Sequence, residues 1–476
     1  MKLYFTLLLA FLAFNEIIAQ DALTKFIQHN SLRTANISVL IKDMKTGATI
    51  AEHRSRQAAV PASTMKVVTT ATALELLGAG FRYETVLSYD GRLEADGTLN
   101  GHLYIVGSGD PTLGSSKMGD REFLTKWVRS LREAGIRRIN GNIVGDDSRF
   151  DNEGSNPKWT WDDIGNYYAP GIWGIAYKDN TVAVTFQSGA AGTTPGIIAT
   201  NPQVQGMTID NQVQSTSTTS DNAYFFGAPK SMNRSVRGEI PANRPAFVVR
   251  AELPNPAQLL AQDLQEALRR EGVEVTGQAL DIEMHQKGRR MAPVTRTPLY
   301  THTSVPLSEI VKEANLKSNN FYTEQLFKSI SLSKHRVASN RRSIEMVQQL
   351  WRSKGLDTAE LFMEDGSGLS PANAVSARFL TSLMEHMYQK SVHKEVFFNS
   401  LSIAGKTGTL AGLMKKSHLE GNLIGKSGTI SRVRAYTGFI TNGGREWAFT
   451  VMVNNSATNS WQTLNIIEDF LKEVSR

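Results

Sequence analysis

The chain contains no cysteine. A disulfide framework, a thiolate metal site and a lipid-modified cysteine are therefore excluded, and stability in an oxidising compartment must come from core size. Histidine is sparse, nine among 476 residues, and none stands in His-Glu-x-x-His spacing, so no metal site of that kind is expected; no part of the reading calls for an organic cofactor. Basic blocks are lacking too. The net charge of +7 is dispersed along the chain, which suits anionic surfaces and polymers and argues against a nucleic-acid groove. The apolar run from Leu3 to Phe14 is too short to span a bilayer comfortably. With Lys2 before it and a small residue at Ala19 after it, residues 1–19 read as a secretory signal peptide cleaved near Ala19. The expected product is exported, periplasmic or cell-envelope associated, with no transmembrane anchor after cleavage.

At 476 residues, 41% hydrophobic and 20% charged, the chain is soluble in composition and too long for one core, so at least two domains are expected. "ISVLIKDMKTGATIAEH" alternates on both sides of Lys45-Thr46-Gly47, which places that triplet in a hairpin turn. "PASTMKVVTTATALELLGAG" is almost uncharged through Leu77 and stops at Gly78, the pattern of a buried helix. "FLTKWVRSLREAGIRRINGNIV" and "QLLAQDLQEALRREGVEVTGQALDI" each give an amphipathic helix, a glycine stop and a short β run, and strand-like runs precede both. Two similar β-α-β units are expected, flanking a β-rich stretch over 151–245. Helical periodicity returns from Leu307, and the chain closes with a hairpin around Thr441-Asn442-Gly443-Gly444 and a helix carrying Leu464, Ile467, Leu471 and Val474 on one face.

A serine becomes a nucleophile when a base lies within hydrogen-bond reach, and on a helix a residue three positions on supplies it. Four Ser-x-x-Lys pairs occur, at Ser63/Lys66, Ser155/Lys158, Ser331/Lys334 and Ser391/Lys394; chance alone gives about two. Ser155 has Pro157 within its spacing, and the last two lie in polar segments where a solvated lysine suffices. Only Ser63 opens a buried helix, where the N-terminal dipole favours a developing anion and burial weakens the hold of Lys66 on a proton.

Ser-x-Asn occurs at Ser220, Ser231 and Ser318. The first belongs to a Ser/Thr-rich stretch in which such letters arise from composition. Ser318 lies between two helical patterns, where a short turn fixes its side chain and that of Asn320. Two Lys-(Ser/Thr)-Gly-Thr tetrads remain, at Lys406 and Lys426. A lysine that holds a carboxylate while neighbouring backbone pairs with an extended peptide belongs on a strand. The Lys426 tetrad leads into the closing hairpin, whereas Lys406 is followed by a segment without strand periodicity and reads as a decoy.

The order of these motifs, together with "VGSGDPTL" and "EDGSGLSPAN", resembles the class C low-molecular-mass penicillin-binding proteins, D-Ala-D-Ala carboxypeptidases and endopeptidases. Ser427 stands where that family usually has threonine. The resemblance implies an α/β (α+β) multidomain fold, with a penicillin-binding, serine β-lactamase-like transpeptidase domain from 20–82 and 298–476. A two-domain insertion would comprise 83–150 with 246–297, and a small nested β-rich domain over 151–245. It implies Ser63 as nucleophile, Lys66 as base, Ser318 as proton relay, Asn320, Lys426, Ser427 and Thr429 as substrate-binding residues, and the backbone N–H groups of Ser63 and Thr429 as the oxyanion hole. Asp162 and Asp163, among the aromatics of "WTWDDIGNYY", are further candidates for substrate recognition. Expected partners are peptidoglycan peptides ending in D-Ala-D-Ala, with β-lactams as covalent inhibitors. The alternatives are a β-lactamase-like hydrolase and a non-catalytic peptidoglycan-binding protein.

Overall fold

A computed structural model describes residues 18–287 and 295–476; most of the expected signal segment lies outside the described residues. The chain forms two compact units, one from the described part of Met1–Gly80 with Leu307–Ile330 and Asn340–Arg476, the other from Phe81–Pro306 with Ser331–Ser339.

The first unit is built on a six-stranded antiparallel sheet. Its order is Thr49–His53, Asn36–Asp43, Arg445–Asn454, Val433–Asn442, Leu423–Ile430, Ser402–Ile403. The expected first hairpin is the Asn36–Asp43/Thr49–His53 pair, with Lys45-Thr46-Gly47 in its turn. The closing hairpin is the Val433–Asn442/Arg445–Asn454 pair.

Period-2 alternation decides what each face buries. Ile37, Val39 and Ile41 stand opposite Val453, Val451 and Phe449. All six join one core with Ile467, Phe470 and Leu471 of the helix Ser460–Val474 and with Leu23 and Phe26, whose helix is described from residue 18. The rings of Phe26 and Phe470 stack at 4.5 Å.

On the opposite face, Thr381 of the helix Ala377–Gln389 donates to Thr450 at 2.9 Å. The helix Met65–Leu77 is buried without a break from Met65 to Leu74, as a helix without a polar face must be. It packs against Leu307–Leu316 and Asn320–Ile330.

The second unit contains a five-stranded sheet in the order Ala279–Asp281, Ile143–Asp146, Leu103–Val106, Glu84–Tyr89, Thr297–Thr303. Leu103–Val106, the helix Phe123–Glu133 and Ile143–Asp146 make a β-α-β unit with parallel strands. The second expected unit is built differently. Phe247–Glu252 pairs antiparallel with Thr181–Gln187 in a separate three-stranded sheet, and only the returning strand Ala279–Asp281 joins Ile143–Asp146. Alternation identifies a strand, but its partner is chosen by distant burial: here Val249 and Ala251 complete a core with Val182, Val184, Val213 and Phe225. The far side of that core is the sheet Thr208–Thr216, Asn233–Pro241, Asn222–Phe226. Thr297–Thr303 pairs with Glu84–Tyr89, so strand pairing carries this unit on to the segment before Leu307.

The stacked Phe26–Phe470 pair joins two helices over one sheet face. Phe470→Ala is expected to destabilise the protein by about 3–5 kcal/mol, read by chemical denaturation. A loss under about 1 kcal/mol would show that these helices are not what covers that face.

Candidate active site

Ser63 lies in a 3-10 turn, Ala62–Thr64, that runs straight into the helix Met65–Leu77. Thr64 Oγ1 donates to Pro61 O at 2.8 Å and pins the turn. Ala62 sits in the left-handed region with φ 46°, a conformation that costs an ordinary residue about 1–3 kcal/mol and persists only where surroundings enforce it. The enforcement is visible. A Cβ on Gly368 would lie 1.9 Å from Ala62 O, and one on Gly428 would lie 2.4 Å from Pro61 O. Only glycine lets both segments close on the turn.

Lys66 is fully buried. Its Nζ lies 2.9 Å from Ser63 Oγ, 2.7 Å from Asn320 Oδ1 and 2.7 Å from Ser367 O. The carboxamide and carbonyl oxygens accept only, so they consume two N–H groups. In the neutral amine the third direction is a lone pair, and it points at the Ser63 hydroxyl. Burial pushes the Lys66 pKa down to about 7, while the charges of Asp365 and Glu324 oppose the fall.

Those two carboxylates shape the segment that supplies Ser367. Glu324 accepts from Ser367 N at 2.6 Å and Gly366 N at 3.2 Å. Asp365 accepts from Gly368 N at 2.7 Å, Ser370 N at 2.6 Å and Asn373 Nδ2 at 2.8 Å. Burial, reinforced by the charge of Asp365, pushes Glu324 up to about 8.

Ser318 occupies the turn between Leu307–Leu316 and Asn320–Ile330, itself left-handed with φ 56°. Lys426, on the strand Leu423–Ile430, donates to Ser318 Oγ at 2.9 Å and to Ser427 O at 2.8 Å. It too is fully buried, and its pKa falls well below the usual lysine value, first by desolvation and then by repulsion from Lys66. Hydrogen bonds therefore join Ser63, Lys66 and Asn320 in one group and Ser318 and Lys426 in another, within one unit. Ser427 and Thr429 follow on the Lys426 strand.

Lys406 is exposed and lies outside any strand, while Lys45 donates to Gly444 O in the hairpin turn. Yet the Lys406 tetrad is not idle. Its last residue, Thr409, accepts from Ser427 Oγ at 2.7 Å. Strand periodicity separated the two lysines and gave no sign of that threonine. Glu324 carries no local signal either, since a single acid in a helical pattern looks like a solvated face. The Asp365–Ser370 segment lies within "EDGSGLSPAN", whose letters do not show its link to Lys66.

Several of the other candidates have local contacts of their own. Ser391 donates to Glu75 at 2.5 Å, Lys394 lies over the Tyr388 ring, and Ser231 receives a hydrogen bond from Asn233 N at 3.2 Å. Ser220 precedes the strand Asn222–Phe226 of the second unit, and Ser331 opens a 3-10 turn. Asp162 and Asp163 belong to the second unit. Asp163 accepts from Thr160 Oγ1 at 2.7 Å, Asn166 Nδ2 donates to Asp162 O at 2.9 Å, and Asn166 Oδ1 accepts from Phe225 N.

The chain as a whole has counterparts among known proteins. The model of the D-Ala-D-Ala carboxypeptidase 3 (S13) family matches residues 19–474. The chain belongs to that family. As a member it is a serine-type D-Ala-D-Ala carboxypeptidase with the penicillin-binding fold. It is 28% identical to a D-alanyl-D-alanine carboxypeptidase of an Actinomadura species, over 92% of this chain and 80% of the relative. It is 26% identical to D-alanyl-D-alanine carboxypeptidase DacB of Haemophilus influenzae, over 90% and 87%. The crystal structure of penicillin binding protein 4 from Haemophilus influenzae shares the fold, with a TM-score of 0.80 at 24% identity over 95% of this chain and 98% of that one. A structure of that protein with a bound β-lactam superposes with a TM-score of 0.74.

Because the neutral form of Lys66 is the one able to take a proton, its pKa fixes a pH limb. Below pH 7 the neutral fraction falls tenfold per unit, so acylation by a chromogenic cephalosporin is expected to rise about tenfold per unit up to near pH 7 and then level off. Stopped-flow rates between pH 5 and about 9 check this. A rate that is flat from pH 5 upward would show that a different group takes the proton.

Proposed function

We propose that the protein hydrolyses peptidoglycan stem peptides ending in D-Ala-D-Ala through an acyl-enzyme on Ser63, and that penicillins acylate the same serine. The observation that carries this reading is the contact of Ser63 Oγ with a buried, proton-poor Lys66 whose other two acceptors are fixed.

Ser63 Oγ attacks the carbonyl carbon of the penultimate D-Ala, and its proton passes to Lys66 Nζ. The C–O bond forms, the peptide C–N bond breaks, and the departing amine takes a proton relayed by Ser318, whose oxygen is held by Lys426. Water then cleaves the ester. The backbone N–H groups of Ser63 and Thr429 are our choice for the oxyanion hole, each such donor being worth about 3–4 kcal/mol where one has been removed in other enzymes.

Asn320 serves in this scheme as a holder of Lys66 as well as a contact for the substrate amide. Lys426 and Ser427 receive the end of the peptide that carries the carboxylate. Asp162, exposed beside the 61% exposed Trp161, and Asp163 are proposed to meet an amino group of the stem peptide. The catalytic domain is assigned to the first unit and the two-part insertion to the second, following the division of the chain. Export is proposed from the signal grammar of residues 1–19; the family match begins at residue 19, and among the described residues no helix is long and apolar enough to cross a membrane.

Ser63→Ala is expected to abolish covalent labelling by a fluorescent penicillin and release of D-Ala while leaving the melting temperature near wild type; an adduct mapped by mass to Ser155, Ser331 or Ser391 would overturn the assignment. In wild type, label that persists marks a penicillin-binding protein and label that turns over within seconds a β-lactamase. Lys426→Ala is expected to cost about 30- to 4000-fold in acylation, the range for removing one partner of a desolvated, hydrogen-bonded charge. Lys406→Ala serves as its control and is expected to cost little. Equal losses in the two variants without unfolding would show that Lys426 has no special place.

A further inference from the structure

A pocket of about 350 Å³ opens in the first unit beside the edge of the main sheet, within the size range of small-ligand sites. Its apolar lining is Leu316, Phe398, Leu401, Ile403 and Ile424. Ile403 and Ile424 are direct cross-strand partners, so their side chains stand together on one face. Phe398, from the helix Lys394–Asn399, stacks on Phe439 at 4.3 Å. Gly408 locks the turn at one side, where a Cβ would lie 2.2 Å from Ser402 Oγ and 2.7 Å from Leu316 O. The walls are held by packing of their own.

The rest of the lining carries charge. Lys312 is exposed on the helix Leu307–Leu316, and the half-buried Lys394 opens the helix Lys394–Asn399. Lys394 Nζ lies 3.6 Å from the centre of the Tyr388 ring, and among the described residues neither lysine is in an ion pair. Glu395 is the single carboxylate in the lining. Positive charge is in excess over an apolar floor, which complements an anion with an apolar body.

Three of the lining residues keep step with the active site. Leu316, Ile424 and Thr407 each stand two residues before Ser318, Lys426 and Thr409 respectively. On a strand a step of two returns to the same face, so Ile424 and Lys426 share one. The hydrogen bond from Lys426 to Ser318, at 2.9 Å, ties together the same two segments that bring Ile424 and Leu316 to the pocket.

We propose that this pocket is an effector site: it takes a small amphiphilic carboxylate, its apolar body against Ile403, Ile424 and Phe398 and its carboxylate at Lys312 and Lys394, and the occupant alters acylation of Ser63 through the segments tied by Lys426 and Ser318. Binding at the pocket is independent of the reaction. The effect on acylation rests on the reading of Ser63 as the nucleophile.

The probe is 4-phenylbutyrate, with 4-phenylbutanol as its uncharged counterpart, each titrated into the full protein and followed by ligand NMR. The carboxylate is expected to bind with a Kd of about 1 mM, in the range its size allows, and the alcohol at least about fivefold more weakly. Lys312→Gln and Lys394→Gln are each expected to weaken the carboxylate about two- to fivefold, the range for partly exposed ion pairs, and the double variant about 4- to 25-fold; the alcohol is expected to change less than about twofold. Asn399→Trp, which fills the pocket from an exposed position in its lining, is expected to abolish binding of both. At saturating 4-phenylbutyrate the rate of labelling by fluorescent penicillin is expected to change about fivefold or more in wild type, the usual size of coupling between sites, and less than about twofold in Asn399→Trp. No binding up to about 20 mM, or equal binding of acid and alcohol untouched by the lysine variants, overturns the site. A carboxylate that no longer binds once penicillin has acylated Ser63 was seated in the catalytic cleft, and overturns it as well. Binding with an unchanged labelling rate overturns the effector role. A protein that takes no penicillin at Ser63 overturns the nucleophile reading and the effector role with it, while the titration still decides the pocket.

Discussion

One buried amine sets the terms for the first unit. Lys66 Nζ is sealed from water and surrounded by three oxygens from three separate segments: the Ser63 turn, the start of the helix Asn320–Ile330 and the loop at Ser367. A buried lysine without acceptors costs several kcal/mol, so the fold has to deliver all three at once. That requirement accounts for much of the local architecture: the helix Met65–Leu77 buried on every side, the left-handed turns at Ala62 and Ser318, and Gly368 and Gly428, whose missing side chains let their segments touch the Ser63 turn. Strain of about 1–3 kcal/mol at each such non-glycine turn is tolerable because neighbouring backbone leaves the chain no other place.

Charge balance follows from the same burial. Lys66 and Lys426 are both desolvated, and the charge of Lys66 further weakens the hold of Lys426 on a proton, while Glu324 and Asp365 pull the Lys66 pKa the other way. The carboxylates do not pair with Lys66 directly. They accept from the backbone N–H groups around Ser367, and the carbonyl of that segment reaches Lys66. Attraction transmitted through a carbonyl is gentler than an ion pair, so the lysine is held in place while its pKa stays near neutrality. A direct Lys66–carboxylate contact would have raised the lysine pKa.

Residues close in sequence were legible, and residues joined only by folding were not. Ser63 with Lys66 could be read because helix spacing and the buried run made a local statement. Ser318 could be placed because two helical patterns bracket it, and Lys426 is separated from Lys406 by strand periodicity, with the family resemblance at Gly408-Thr409-Leu410 in support. Both hairpins and the long helices were equally plain. By contrast, nothing near Asn320 says that its oxygen will face Lys66, nothing near Glu324 marks it as buried, and Thr409 looks like part of a discarded repeat until Ser427 is seen to touch it. The strand Phe247–Glu252 was recognisable as a strand, but its partner depended on a core assembled from residues as distant as Val182 and Val249.

The edge of the main sheet ties these points together. Ser402–Ile403 covers Leu423–Ile430 only at Ile424 and Gly425, so from Lys426 onward the outer side of that strand has no neighbour in the sheet. An open edge is an invitation to aggregation unless it is short, polar or twisted away. Here it is short, carries Lys426, Ser427 and Thr429, and leads into the exposed Ser431 and Arg432. Such features disfavour edge-to-edge pairing, and in the proposed function the free backbone groups are the ones an extended peptide would pair with. The covering strand Ser402–Ile403 is followed by the turn containing Thr409, whose hydroxyl meets Ser427. The chain therefore closes the edge up to the residue before Lys426 and places a side-chain oxygen beside the first exposed step. An edge strand two residues longer would continue the ladder past Lys426 and take up the backbone an incoming peptide needs; one two residues shorter would leave Ile424 and Gly425 uncovered.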